Sequence, residues 1–201
     1  MAAPKPKTTL IVLILWLILQ AAISMTGFYK VTTDFPPRFM LLVLPPLIFI
    51  IALFFTAKGK RFIDSLDIRV LTVLHTVRVM VEIVLLWLFM YKAVPKIMTF
   101  EGENFDILAG ISAPFIFYFA FYKKKISEAV LLFWNFLCIG LLLNIVTIAI
   151  LSAPFPFQQV AFDQPNIAVL YFPYVWLPCC IVPIVLFSHL ASIRQLVKEK
   201  I

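Results

Sequence analysis

Three ionisable side chains stand inside an otherwise apolar run, and no other group in this chain is as well suited to do chemistry. His75, Arg78 and Glu82 lie between Leu71 and Phe89. Their spacing of three and then four residues places them on one face of a helix. An ionisable group at membrane depth costs at least a few kcal/mol, so it usually faces a protein interior and marks a functional site. This stripe is therefore the best sequence clue to function.

The stripe contains a potential ion pair. Arg78 and Glu82 are four residues apart, so they could neutralise each other within one helix. Two interpretations remain open: a structural pair that ties helices together, or a substrate or ion site in which Glu82 accepts a proton.

The two histidines of the chain suggest a second chemistry. His75 and His189 are expected on different helices at similar depth, where they could be the axial ligands of one haem b. Arg78 or Arg69 could then pair with a propionate. A zinc site is a weaker hypothesis, because the chain has no His-Glu-x-x-His motif. The sequence also lacks a phosphate loop and a Gly-x-Ser-x-Gly elbow, so it leans away from an enzyme.

The elements that must position these residues are predicted from composition. Hydrophobic residues make up 63% of the 201 and charged residues 13%, whereas a soluble domain carries about a quarter charged residues. The apolar blocks are about 17 to 25 residues long, as needed to cross a bilayer as helices. We predict an all-α integral membrane protein of one domain, with prolines breaking the second and sixth helices. The six predicted spans are 9–26, 39–57, 69–91, 106–122, 128–151 and 167–191.

Counting along the predicted helices groups the polar residues at depth into two layers. The layer nearer to the basic side comprises His75, Asn135 and His189. The deeper layer comprises Arg78, Glu82 and Asn144. The proline-rich outer segment 152–168 is expected to lie over the bundle as a lid, to dock against a partner or lipid, or to form an inert packed cap.

The distribution of Lys and Arg predicts how the helices are oriented in the membrane. The net charge is +7, with eleven Lys and Arg on one side of the predicted bundle and four on the other. The positive-inside rule then places both termini in the cytoplasm, and we expect a plasma membrane such as the bacterial inner membrane. Because the basic residues cluster in short loops between spans, nucleic acid is not expected as a partner.

Three classes of function remain open on the sequence. The first is a protein that binds or translocates a small molecule or ion, with coupling to protons as one form of it. Its candidate site residues are His75, Arg78, Glu82, Asn135 and Asn144. The second is a membrane redox subunit or enzyme with haem or metal on His75 and His189. The third is a non-catalytic scaffold or partner subunit; besides bilayer lipid and a small ligand, the sequence names no partner and no oligomeric state.

Overall fold

The computed structural model describes residues 6–198. These residues form helices and connecting segments, with no strand in that range. Residues 1–5 and 199–201 lie outside the described residues, and with them Lys5 and Lys200 of the predicted cytoplasmic charge cluster.

Eight α-helices occur in the described range, and two π-helical segments and three short 3-10 turns accompany them. The α-helices are α1 (Pro6–Met25), α2 (Met40–Phe55), α3 (Ala57–Asp64), α4 (Ile68–Leu74), α5 (Val77–Met90), α6 (Ile107–Phe117), α7 (Glu128–Leu151) and α8 (Val182–Lys198). The π-helical segments are Tyr118–Tyr122, which continues α6, and Leu177–Ile181, which precedes α8. The 3-10 turns are Phe28–Lys30, Lys96–Met98 and Ala168–Leu170.

Four helical stretches in the described range are long and apolar enough to cross a membrane. They are Pro6–Met25, Ile68–Met90, Glu128–Leu151 and Leu177–Lys198. A fifth is obtained if α2 and α3 are counted as one span, although they are bent by 91°. The remaining predicted span is a shorter apolar helix, Ile107–Tyr122. The architecture is therefore an all-helical bundle with four or five candidate spans.

The second predicted span is not broken at its prolines. Helix α2 runs through Pro45 and Pro46, which remove the hydrogen bonds to the carbonyls of Leu41 and Leu42 but leave the helix continuous. The break occurs instead at Thr56, whose backbone is extended between α2 and α3. The Thr56 hydroxyl accepts a hydrogen bond from Gly59 N at 3.1 Å and so begins α3 as its N-cap.

The sixth predicted span begins ten residues later than expected. Residues 171–175 form a bend and a turn, and the π-helical segment Leu177–Ile181 lies at the start of the helix. Pro183 has no N–H, so it frees the carbonyl of Cys179 one turn earlier. Trp16 Nε1 of α1 donates to that carbonyl at 2.9 Å, so this hydrogen bond links α1 to the start of the last helix.

One end of the bundle is held by an ionic cluster between α3 and α8. Arg194 Nε donates to Asp64 Oδ1 at 2.9 Å, and Lys198 Nζ lies 2.8 Å from Asp64 Oδ2. Gln195 Nε2 donates to the carbonyls of Ile63 and Leu66 at the end of α3. Helix α3 therefore lies across the end of α8.

The third predicted span is irregular at the histidine of the stripe. Helix α4 ends at Leu74 and α5 begins at Val77, and the N–H groups around His75 bond to carbonyls three residues earlier. Helix α6 packs closely just beyond this point: a Cβ on Gly110 would lie 2.8 Å from Val79 N. Only glycine allows that approach.

Candidate functional site

Arg78 is the centre of a buried polar network. Its side chain is 2% exposed. Nε donates to Asp106 Oδ2 at 2.6 Å, and Nη2 donates to Asp106 Oδ1 and to the Cys138 carbonyl, the latter at 3.2 Å. Nη1 lies 3.1 Å from His189 Nε2. Four of the five guanidinium N–H groups are thus assigned, and they join α5 to the start of α6, to α7 and to α8.

The hydrogen bonds around His189 define its protonation state. Asn135 Nδ2 donates to the Leu131 carbonyl at 2.9 Å, so its Oδ1 faces His189 Nδ1, also at 2.9 Å. An amide oxygen only accepts, so Nδ1 carries the hydrogen. Nε2 is then free to accept from Arg78. This histidine is a neutral imidazole that supports Arg78.

His75 lies directly on His189. The two rings are stacked, with centroids 3.7 Å apart and an angle of 8° between their planes. Trp134 meets both rings edge-on, at 5.6 and 5.7 Å, and donates from Nε1 to Ser112 Oγ. Neither nitrogen of His75 has a hydrogen-bond partner within residues 6–198. The structure therefore brings His75, Asn135 and His189 together from three helices.

The histidine geometry does not fit a haem between the two rings. Axial ligands must point a nitrogen at the iron from opposite faces of the macrocycle. Rings stacked at 3.7 Å leave no space for a macrocycle, and both nitrogens of His189 are already engaged. No group of three or more His, Cys, Asp or Glu in the described range is arranged to hold a metal ion. We therefore set aside the hypothesis of haem or metal at His75 and His189.

Arg78 does not form the ion pair with Glu82 that their spacing would allow. Arg78 takes Asp106 as its ion-pair partner instead. Glu82 is 1% exposed, and both of its carboxyl oxygens lie 2.7 Å from Asn104 Nδ2. Within the described residues it forms no ion pair. The network therefore holds two carboxyl groups and one guanidinium. The neutral ring of His189 adds no positive charge, so the second carboxyl group has no cation among the described residues to balance it.

Asn104 and Asp106 were missed because they stand at the edge of an apolar run, where polar residues usually belong to a solvated loop. Asn104 Nδ2 also donates to the Met98 carbonyl, and its Oδ1 accepts from Asp106 N. These bonds satisfy the irregular backbone before α6 and allow that segment to reach into the bundle. The sequence does contain a signal for Asp106. Asn104 and Asp106 stand immediately before the apolar run that begins at Ile107, and a buried Arg78 requires a carboxylate as its counter-ion.

A cavity of about 120 Å³ adjoins this network. Arg78, Glu82 and Asp106 contribute to one part of its wall, and Asn166 contributes elsewhere. The rest of the wall is mainly apolar and comes from α5, α7, α8, the start of α2 and the segment around Ala168. For comparison, a dry apolar cavity of about 150 Å³ holds one benzene. The space therefore suits a small, mostly apolar molecule that has a polar group.

Asn144 does not join the site. Its side chain is exposed, and Nδ2 donates to the Glu103 carbonyl at 2.8 Å. The prediction that it lines an internal cavity beside Glu82 is therefore corrected. Asn144 projects from a face of α7 that points away from the cavity.

Comparison with known proteins identifies a family without an assigned activity. A family described as a domain of unknown function, DUF8737, matches residues 36–197. The chain belongs to this family. Every residue of the network and the cavity lies inside the matched region, whereas α1 precedes it. No curated protein sequence and no solved structure matches the chain.

Proposed function

We propose that this is a multi-spanning membrane protein that binds a small molecule in the cavity beside Glu82. Its outer surface supports the membrane setting, because large apolar side chains such as Leu15, Phe49 and Phe133 are more than half exposed. A soluble monomer rarely exposes so much contiguous apolar surface, whereas lipid covers it at no cost.

The proposed topology keeps six membrane-embedded segments and both termini in the cytoplasm. Helix α3 then lies along the cytoplasmic surface, since it carries Lys58, Lys60 and Arg61 and bonds to the basic end of α8. Helix α6 is shorter than a full span because the chain before it already reaches to the depth of Arg78. We place the protein in a plasma membrane on the same charge argument.

The observation that carries the proposed function is the position of Glu82 in the wall of a mainly apolar cavity. Its neighbour Arg78 is already engaged by Asp106, so Glu82 lacks a direct cationic partner within the described residues. A buried carboxylate without a counter-charge is costly. Either a proton or a cationic ligand would relieve this cost. We therefore propose a ligand with a short apolar body and an amine or similar donor that contacts Glu82.

The other residues of the network hold Glu82 in position. The stacked histidine rings and Asn135 hold Arg78 in place, and Arg78 in turn holds Asp106 and the segment that carries Asn104. Asn104 fixes the carboxyl group of Glu82. The network therefore presents one carboxyl to the cavity in a fixed orientation.

Binding of simple probes to the detergent-purified protein tests this proposal. Hexylamine should bind to the wild type and raise its melting temperature, whereas hexanoate, which has the opposite charge, should not. Glu82→Gln should abolish the hexylamine effect. Because a proton and an amine compete for Glu82, hexylamine should also bind more weakly as the pH is lowered. Equal hexylamine binding by wild type and Glu82→Gln would refute the assignment.

A matched pair of substitutions on α7 locates the probe. Val146 lines the cavity, whereas Leu143 on the same helix is exposed. Val146→Phe should fill the cavity and block hexylamine, and Leu143→Phe should leave binding unchanged. If both variants bind hexylamine like the wild type, the molecule occupies another place.

A further inference from the structure

A second polar group faces the same cavity, from the segment before the last helix. Asn166 is 0% exposed. Its Nδ2 donates to the Ala149 carbonyl at 3.1 Å, and its backbone N donates to the Ser152 carbonyl at 2.8 Å. Because a carbonyl can only accept, the amide nitrogen must face Ala149, and Oδ1 must face away from it.

The oxygen of this amide is left without a protein partner. No donor within residues 6–198 reaches Asn166 Oδ1, although the atom is fully buried. Buried polar atoms in folded proteins are nearly always hydrogen-bonded, so an exception at the wall of a cavity points to a ligand donor. Most of the wall near it is apolar, including Leu88, Ala149 and Val169.

Contacts to α7 show how the two polar parts of the cavity are placed. The Cys138 carbonyl accepts from Arg78, and the Ala149 carbonyl accepts from Asn166. These two residues are eleven positions apart on one helix, which corresponds to a rise of about 16 Å. Leu142 and Ile145 lie between them and line the cavity. Helix α5 runs toward Asn166, because the Ala93 carbonyl just beyond its end accepts from Ile167 N and Ala168 N. Glu82 follows Arg78 by four residues on this helix, a rise of about 6 Å, so about 10 Å along the bundle separate the level of Glu82 from that of Asn166.

We infer that the ligand is bifunctional, with a cationic or donor group at Glu82 and a second hydrogen-bond donor, such as a hydroxyl, at Asn166 Oδ1. This inference rests on the proposed function, and it narrows the ligand class from a simple amine to a short amino alcohol or a related compound. The volume of about 120 Å³ limits the body between the two groups to a short chain or one ring.

The test compares hexylamine with 6-amino-1-hexanol, which differs by a terminal hydroxyl. A hydroxyl that enters an apolar cavity without a partner weakens binding by about tenfold or more. With Asn166 Oδ1 as its acceptor, the amino alcohol should bind the wild type at least as tightly as hexylamine. In Asn166→Ala, the affinity of the amino alcohol relative to that of hexylamine should fall by about tenfold. Hexylamine binding shows in the same experiment whether this variant is folded.

A chain-length series in the wild type provides a second test that needs no variant. Because the two polar groups are held at a fixed distance, the benefit of the hydroxyl should peak at one length between butyl and octyl amino alcohols. A hydroxyl that weakens binding at every length overturns the inference, as does a ratio that Asn166→Ala leaves unchanged. In both cases Glu82-dependent binding of hexylamine would leave the proposed function standing. If Glu82→Gln changes neither probe, the proposed function and this inference fall together.

Discussion

Replacing Asp106 by Asn should destabilise the protein strongly, although Asp106 lies in a segment that resembles a surface loop. The substitution keeps the size of the side chain and removes its charge. Arg78 would then be a buried cation that has lost its counter-ion, since Glu82 is held by Asn104. Breaking a buried ion pair by removing one partner costs about 3–5 kcal/mol.

Counting the hydrogen bonds between Arg78 and Asp106 gives a similar loss of unfolding free energy. Asp106 accepts two hydrogen bonds from Arg78, one from Nε and one from Nη2. A hydrogen bond to a charged group contributes about 1.5–3 kcal/mol, so two of them account for about 3–6 kcal/mol. We therefore expect Asp106→Asn to lower the free energy of unfolding by about 4 kcal/mol.

Glu82→Gln provides the contrast that makes this prediction specific. A glutamine at this position can still accept from Asn104, and it removes a charge that has no direct partner within the described residues. Its free energy of unfolding should stay within about 1 kcal/mol of the wild type. Asp163→Asn is the matched control, because Asp163 is exposed and should show no change.

The assay is equilibrium unfolding in mixed micelles with increasing dodecyl sulfate, followed by tryptophan fluorescence. The double variant Arg78→Met with Asp106→Leu should recover much of the lost stability, because it removes both charges together. The reasoning is refuted if Asp106→Asn is as stable as Asp163→Asn. It is equally refuted if Glu82→Gln loses as much stability as Asp106→Asn, since Glu82 would then be the true partner of Arg78.

Two further predictions concern helix packing and pH. Gly110→Ala should lower the free energy of unfolding by about 1–3 kcal/mol, because its Cβ would lie 2.8 Å from a backbone nitrogen of α5. Gly140→Ala has no neighbour within 4 Å and should be neutral or slightly stabilising, so equal effects in the same unfolding assay would contradict the packing described. Hydrogen bonds from Lys198 and Arg194 hold the pKa of Asp64 below its usual value of 3.8. The stability that this depressed pKa contributes is present above pH 3.8 and is lost as the pH falls through the lower folded value, so Asp64→Asn should remove that part of the acid sensitivity in a pH series. If Asp64→Asn unfolds in acid at the same midpoint pH as the wild type, Asp64 does not contribute this stability.

Regular helices could be predicted from the sequence because their signals are local. The apolar run 128–151 coincides with α7, which begins after the Ser127 N-cap. The prediction for the first span is close to Pro6–Met25 for the same reason. The predictions failed where the backbone is irregular. The second span breaks at Thr56 and not at its prolines, and the last helix starts after the turn at 171–175.

The candidate site could be predicted in part, because depth along a helix follows from residue number. This count correctly places His75, Asn135 and His189 at one level. The direction in which a side chain projects depends on how each helix is rotated in the bundle, which the count does not give. Asn144 therefore has the predicted position along α7 but faces outward. Asp106 could not be placed because the count assumed that every apolar run begins at the membrane surface.

In the proposed membrane topology, the order of Arg78 and its partners along the chain has a consequence for how the chain is inserted during synthesis. Its partners follow it by 28 residues at Asp106, 60 at Cys138 and 111 at His189. When the helix that carries Arg78 leaves the ribosome, none of these partners has yet emerged from the exit tunnel. The translocation machinery must therefore accept Arg78 before its final partners are in place, with Glu82 as the nearest charge on the same helix. An arginine at mid-membrane costs about 2.5–3.5 kcal/mol, and each surrounding Leu, Ile, Val or Phe side chain returns about 0.3–0.6 kcal/mol. Those residues thus act at two stages, first during insertion of the chain and then in the finished bundle.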